Sequence, residues 1–187
     1  MARALLIVDV QNDFTEGGAL GCDGGAAVAA AITQHVRASD YALVVASRDW
    51  HHGDDDNGGH FATGEPDFVD TWPVHCVAGT AGADYHPALD ASLVDVHVFK
   101  GQGEPAYSAF EGETDDGRTL AEILDEASID ELVVVGIATD FCVKASALDA
   151  MPVVPTVTVV DALTAAVAPG TRAAALTELA AAGVVVR

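Results

Sequence analysis

Three residues whose side chains could together carry out covalent catalysis stand near the ends of apolar runs: Asp9, Lys100 and Cys142. Cys142 lies in the stretch ELVVVGIATDFCVKA, residues 131–145. The apolar, largely β-branched run from Leu132 to Val135, bounded by Gly136, reads as a buried strand. Ile137, Ala138 and Thr139 read as a turn. A helix is expected to start at Asp140, a residue type suited to a first helical turn. Cys142 would then sit among unpaired backbone N–H groups, which lower a thiol pKa and can hold a developing oxyanion. A thiol needs a base, which Asp9 could supply, and a cation such as Lys100 would stabilise the thiolate. The competing readings are a buried, inert cysteine and an unrelated charge pair at strand ends.

A second group of residues suits a metal ion. Asp49 and His51 form a D-x-H pair, and alternate side chains of an extended chain face one side. His60 and His75 follow in the same long region, with His52, His86 and Cys76 nearby. All but His35 of the seven histidines lie between His51 and His97. A carboxylate with two or three imidazoles suits Zn(II), Fe(II) or Mn(II). Cys76 and Cys22 are read as packing residues, because a thiolate ligand would favour closed, structural zinc.

The elements that must position these groups alternate between strand and helix. Strands are expected at residues 4–10, 41–47, 94–99, 132–135, 156–160 and 184–186. Helices are expected at 26–38, 119–127, from Asp140 to about Ala150, and at 169–182, with Pro at the start and Gly183 at the end of the last. The first strand, apolar throughout, reads as buried on both faces, as in parallel sheets. The fold class is α/β, with a mostly parallel, helix-covered sheet. Ligands of such sheets bind outside the carboxyl ends of the strands, where Asp9, Asp49, Lys100, Cys142 and Asp161 are expected. The segment from Trp50 to about Pro87 is long and aperiodic, the kind of loop that is usually functional or disordered, and its aromatic and histidine content argues for function.

Length suits one domain, residues 1–187. Half of the residues are hydrophobic, enough for a substantial core. No apolar run is long enough to cross a bilayer, and the N-terminus reads as a strand, not a signal peptide. Three cysteines make no disulfide framework, which fits a reducing cytoplasm. Asp and Glu number 29 against 8 Lys and Arg, a net charge of −21. That balance argues against nucleic acid and anionic membranes as partners and fits a high-salt cytoplasm, where screening relieves self-repulsion.

The opening IVDVQNDF, residues 7–14, followed by Glu16-Gly17-Gly18, resembles the signature of nicotinamidases in the isochorismatase-like cysteine hydrolase superfamily. The resemblance continues in order through Ser47-Arg48-Asp49-Trp50-His51, Trp72-Pro73-Val74-His75-Cys76, Gly79-Thr80, Phe99-Lys100-Gly101, Tyr107-Ser108-Ala109-Phe110 and residues 136–143. It implies a three-layer α/β/α sandwich and amide hydrolysis through a thioester, with Asp9, Lys100 and Cys142 as the triad. Ala138 and Cys142 would form the oxyanion hole, with a cis peptide at Ile137–Ala138. Asp49, His51, His60 and His75 would hold one divalent ion (Zn, Fe or Mn). Phe14, Trp72 and Tyr107 would line a ring pocket, with Ile137 and Phe141 close by.

The implied substrate is nicotinamide, and pyrazinamide beside it, in NAD salvage. The alternative is a relative acting on another small amide or carbamoyl compound, and such relatives lack the Asp/His cluster. The chain is expected to be a monomer or small homo-oligomer. Two departures stand out: the acidic stretch 51–60 is long, so that an Asp there competes with His60 as ligand, and Pro152 and Pro155 must stop the nucleophile helix near Ala150.

Overall fold

A computed structural model describes all residues, Met1–Arg187. Six strands form one sheet: β1 (Arg3–Val8), β2 (Leu43–Asp49), β3 (Val96–Lys100), β4 (Glu131–Ile137), β5 (Thr156–Ala165) and β6 (Val185–Val186). Their order is β3-β2-β1-β4-β5-β6, and every pairing is parallel. Four α-helices cover it: α1 (Gly25–Arg37), α2 (Leu120–Glu126), α3 (Lys144–Ala150) and α4 (Pro169–Ala182).

Side-chain alternation divides the core into two layers. Leu5 and Ile7 of β1 pack with Val133 and Val135 of β4 against Val28 and Ile32 of α1. Leu6 and Val8 turn to the other face, with Leu120 and Leu124 of α2, Ala147 of α3 and Leu179 of α4. The continuous apolar runs thus serve both faces, as expected for a three-layer α/β/α sandwich. Burying each Leu or Ile of β1 contributes about 1.5–3 kcal/mol. No helix is long and apolar enough to cross a membrane.

The order of strands reverses between β1 and β4, which places a crevice at their carboxyl ends. The two strands approach closely there. Gly136, at φ 118°, pairs with Val8, and a Cβ on it would lie 2.1 Å from the Val8 carbonyl oxygen.

β2 ends two residues and β3 one residue later than expected, so that Asp49 and Lys100 close them as register partners on adjacent strands. β5 differs more. It runs on to Ala165, with a register shift against β4 between Val134 and Gly136. Asp161 therefore lies within β5, paired to Arg172 of α4, and takes no part in the site. The region from Trp50 onward is folded through isolated bridges, His51 to Val77 and Phe61 to Trp72. α2 begins at a capping box between Thr119 and Glu122, and α3 ends at Ala150, as the prolines require.

Candidate active site

The chain turns sharply after β1 at Asp9, whose φ of 47° is one that Asp tolerates better than most residues. This points a fully buried carboxylate at Lys100 and Cys142. Lys100 Nζ lies 3.0 Å from Asp9 Oδ2, touches Asp49 Oδ1, and lies 3.8 Å from Cys142 Sγ. Ser47 Oγ donates to Asp9 Oδ1 at 2.7 Å. Asp9 Oδ2 accepts no well-formed hydrogen bond, which leaves a lone pair for the thiol proton. The three expected triad residues therefore converge.

Cys142 does not sit in an ordinary α-helical first turn. Residues Thr139–Val143 form a π-helical turn that runs into α3. The peptide Ile137–Ala138 is cis, and the Ala138 N–H has no acceptor within the protein. Asp140 anchors this turn from behind. Its carboxylate accepts the Val167 N–H at 3.0 Å and the Thr171 hydroxyl, at the entrance to α4. The buried hydroxyls of Thr139 and Thr164 bond at 2.8 Å.

Electrostatics correct the expectation of a thiol made acidic by its position. Burial pushes the Cys142 thiol well above the usual range, and Asp9 and Asp49 add to that against the opposing Lys100. In the protein alone the thiol keeps its proton, so attack by this sulfur would need a neighbouring base. Burial raises Asp9, with Lys100 opposing. Burial would raise Asp49 too, but the Lys100 ammonium together with the His51 and His75 imidazoles outweighs it and holds this carboxyl well below the usual range. Burial would lower Lys100, yet the two carboxylates keep it firmly charged. Two carboxylates whose affinities for a proton are driven apart can divide the labour, one fixed as an anion and one exchanging protons.

Beyond Asp49 lie three buried imidazoles, those of His51, His60 and His75, with ligand atoms within 4.8 Å of one another. His51 Nδ1–H donates to the Gly101 carbonyl and His75 Nδ1–H to that of Pro73, both at 2.7 Å. A carbonyl only accepts, so both Nε2 atoms present lone pairs. Each Nε2 stands 3.6 Å from Asp49 Oδ2. His51 Nε2 and His60 Nδ1 are buried without any partner. Orphaned nitrogen donors around one carboxylate oxygen fit a divalent cation. His60 takes its place in this cluster, whereas Asp54, Asp55 and Asp56 are exposed, with Asp55 facing His52.

A cavity of about 280 Å³ opens onto both groups. Phe14, Trp72, Tyr107 and Phe141 line it, as expected, with Ala138, Cys142, Asp49, His60 and His75. Trp72 Nε1 donates to the Tyr107 hydroxyl at 2.9 Å. Ile137 does not line it. Its side chain ends β4 inside the α1 layer, near Gly25. Cys22 and Cys76 are buried and unpaired, as expected of packing residues, although Cys22 also borders the cavity, its thiol pushed up to about 12 by burial.

Sequence reasoning missed the residues that hold the site in place. Gln11, fully buried, clamps the backbone of Asp49, donating to its carbonyl and accepting from its N–H, both at 2.8 Å. Asn57, also fully buried, ties the His52 backbone at both ends. Gly101, at φ 75°, supplies the carbonyl that orients His51, and a Cβ there would lie 2.4 Å from the imidazole. Gln11 and Gly101 sit within matched motifs, and an uncharged polar residue next to an expected catalytic carboxylate was the available signal.

Fold and site together define an α/β protein with a cysteine, carboxylate and ammonium centre at its topological switch point. The chain belongs to the isochorismatase family: the isochorismatase domain model matches residues 3–187. It is 49% identical over 178 residues to the nicotinamidase/pyrazinamidase of Mycobacterium tuberculosis, covering 95% of this chain and 94% of that protein. Among solved structures, PnC1 from L. infantum in complex with nicotinate superposes with a TM-score of 0.86 at 34% identity, over 100% of this chain and 92% of that one. The pyrazinamidase of Pyrococcus horikoshii in complex with zinc gives 0.82 at 31% identity, over 100% and 99%.

Proposed function

We propose that the protein is a nicotinamidase, a cysteine amidohydrolase that converts nicotinamide to nicotinic acid and ammonia in cytoplasmic NAD salvage and also deamidates pyrazinamide. The whole chain acts as one hydrolase domain. The observation that carries this reading is the single ammonium of Lys100 touching both carboxylates and lying 3.8 Å from the Cys142 sulfur, beside the imidazole cluster. Its relatives of high identity and coverage are nicotinamidases.

In this mechanism Asp9 Oδ2 takes the Cys142 proton as Sγ attacks the carboxamide carbon. The tetrahedral oxyanion faces the N–H groups of Ala138 and Cys142. Asp9 returns the proton to the departing ammonia, leaving a thioester. Asp9 then deprotonates the water that hydrolyses it, and the thiol is restored. Lys100 remains charged throughout and keeps Asp9 from holding its proton too tightly. Asp49, His51, His60 and His75 would hold a divalent ion of zinc, iron or manganese, which supplies Lewis-acid contact to a ring nitrogen. Phe14, Trp72, Tyr107 and Phe141 offer flat apolar walls to the ring.

Ammonia release from nicotinamide, measured before and after chelation with metal analysis of the same sample, tests the reading. Turnover by the metal-loaded protein, loss on chelation and loss in Cys142→Ala are expected. Wild-type rates in Cys142→Ala would refute the thioester route. Failure on nicotinamide with turnover of another small amide would refute the substrate.

A further inference from the structure

Phe68 is built into the mouth of the cavity in a way that neither the reaction centre nor the core explains. Its φ of 59° lies in the left-handed region, where a bulky aromatic is an outlier. It is 55% exposed, yet it lines the same cavity as Cys142 and His75. The turn around it is firmly held. Asp67 Oδ1 accepts the N–H groups of Val69, Asp70 and Thr71, each at 2.9 Å. The Asp67 N–H donates to Thr71 Oγ1, and the Phe68 N–H to the Thr71 carbonyl. The Phe68 ring meets Trp72 edge-on, centroids 6.2 Å apart. A backbone conflict held by its surroundings over a binding cavity is a pointer to function.

Substrate orientation says which function. On the nicotinamidase reading, on which this inference rests, the carboxamide carbon meets Cys142 Sγ and the ring nitrogen faces the imidazoles. Those two groups stand meta on a pyridine ring, with C2 between them. Lys100, 1% exposed, bridges Asp49 and Cys142 and so floors that gap. C2 therefore points inward and C5, diagonally opposite, points to the mouth. Ala19, Gly21, Phe68 and Val167 are the exposed residues that line the cavity and so form its rim, and Phe68, 55% exposed, carries the bulkiest side chain of the four.

The geometry points to Phe68 as a specificity-determining residue that limits the substituent ring position 5 can carry. Removing its ring should widen the mouth at C5, whereas His51 and His75 on the nitrogen side are oriented by the Gly101 and Pro73 carbonyls and not by Phe68.

The test compares kcat/KM for nicotinamide, 5-methylnicotinamide, 5-phenylnicotinamide and 6-methylnicotinamide in wild type, Phe68→Ala and Phe68→Gly. An apolar wall discriminates one added carbon by roughly 10-fold or more, so wild type should fall about 10-fold for 5-methyl and further for 5-phenyl. Both variants should raise the 5-phenyl to nicotinamide ratio at least about 10-fold and move the 6-methyl ratio less than about 2-fold. Phe68→Gly also relaxes the backbone, so equal gains in both variants assign the effect to the ring. Binding of 5-phenylnicotinate, read from tryptophan fluorescence, should tighten in parallel. An unmoved 5-phenyl ratio in a wild type active on nicotinamide overturns the inference alone, as does an equal gain for 6-methyl. A wild type inert toward nicotinamide overturns the inference together with the reading beneath it.

Discussion

Replacing Gly101 by Ala should loosen the imidazole cluster without touching a reacting atom. Two costs add. At φ 75° an L-residue adopts the left-handed conformation, at about 1–2 kcal/mol. The new Cβ would also stand 2.4 Å from His51 Cε1 and 2.7 Å from Nδ1. Ordinary contact would require the ring to retreat by about 1 Å, and forcing that on a packed interior costs about 1–3 kcal/mol. The His51 ring has no room to retreat, being fully buried with the rings of His60 and His75 at 4.9 Å and Phe61 at 5.1 Å. The total, about 2–5 kcal/mol, is a large fraction of the 5–15 kcal/mol typical of a domain.

The bond from His51 Nδ1 to the Gly101 carbonyl is disturbed as well, and loss of such a supporting contact weakens metal binding about 10- to 100-fold. Gly79→Ala is the control. Its φ is 74°, but nothing lies within 4 Å of a Cβ there, so only the backbone cost of about 1–2 kcal/mol applies. Urea melts of both variants with and without chelator, together with bound-metal content, measure the difference. Equal destabilisation of the two, or a Gly101→Ala protein that retains wild-type metal, would refute the wedge between Gly101 and His51.

Other consequences follow from the same geometry. Lys100→Met strands two buried carboxylates, so urea melts at pH 7 should show a loss of about 3–5 kcal/mol and ammonia release should vanish. The three N–H groups on Asp67 hold its carboxyl well below the usual range. Its contribution to the 67–71 turn is therefore complete above the ordinary carboxylate value near 3.8 and is lost only as pH falls through the lower folded value. The turn should thus be insensitive to pH between 5 and 8, and an NMR titration that placed the Asp67 carboxyl at or above 3.8 would contradict this. A net charge of −21 should make the melting temperature climb from dilute buffer to molar KCl, and an unchanged value would remove the high-salt reading of the composition.

Much of the fold could be read directly because its signals are local. A run such as ALLIV has one stable use, a strand covered on both sides, and proline and glycine mark α4 at both ends. Boundaries slipped where neighbours decide them. β2 ends two residues late and β3 one because pairing between Asp49 and Lys100 extends the ladder, and β5 continues past Asp161 through a register shift that no local pattern announces. Ile137 reads as a pocket residue by proximity in sequence to Cys142, but the pleat of β4 turns it into the α1 layer.

What the sequence determined by itself was the inventory: a thiol, a carboxylate and a lysine at three strand ends, and a carboxylate with clustered histidines between two of them. Those are covalent facts, legible from residue type and order. The tertiary structure decided which of them meet and in what state. Strand order put β1 and β4 side by side at the switch point, the turn at Asp9 aimed its carboxylate inward, and Gln11 and Gly101 fixed the backbone and imidazole that complete the cluster. Proton affinities were decided there too, because desolvation and Coulomb interaction depend on burial and distance through space. Position along the chain encodes neither, which is why a cysteine expected to be acidic is instead a buried thiol pushed well above the usual range.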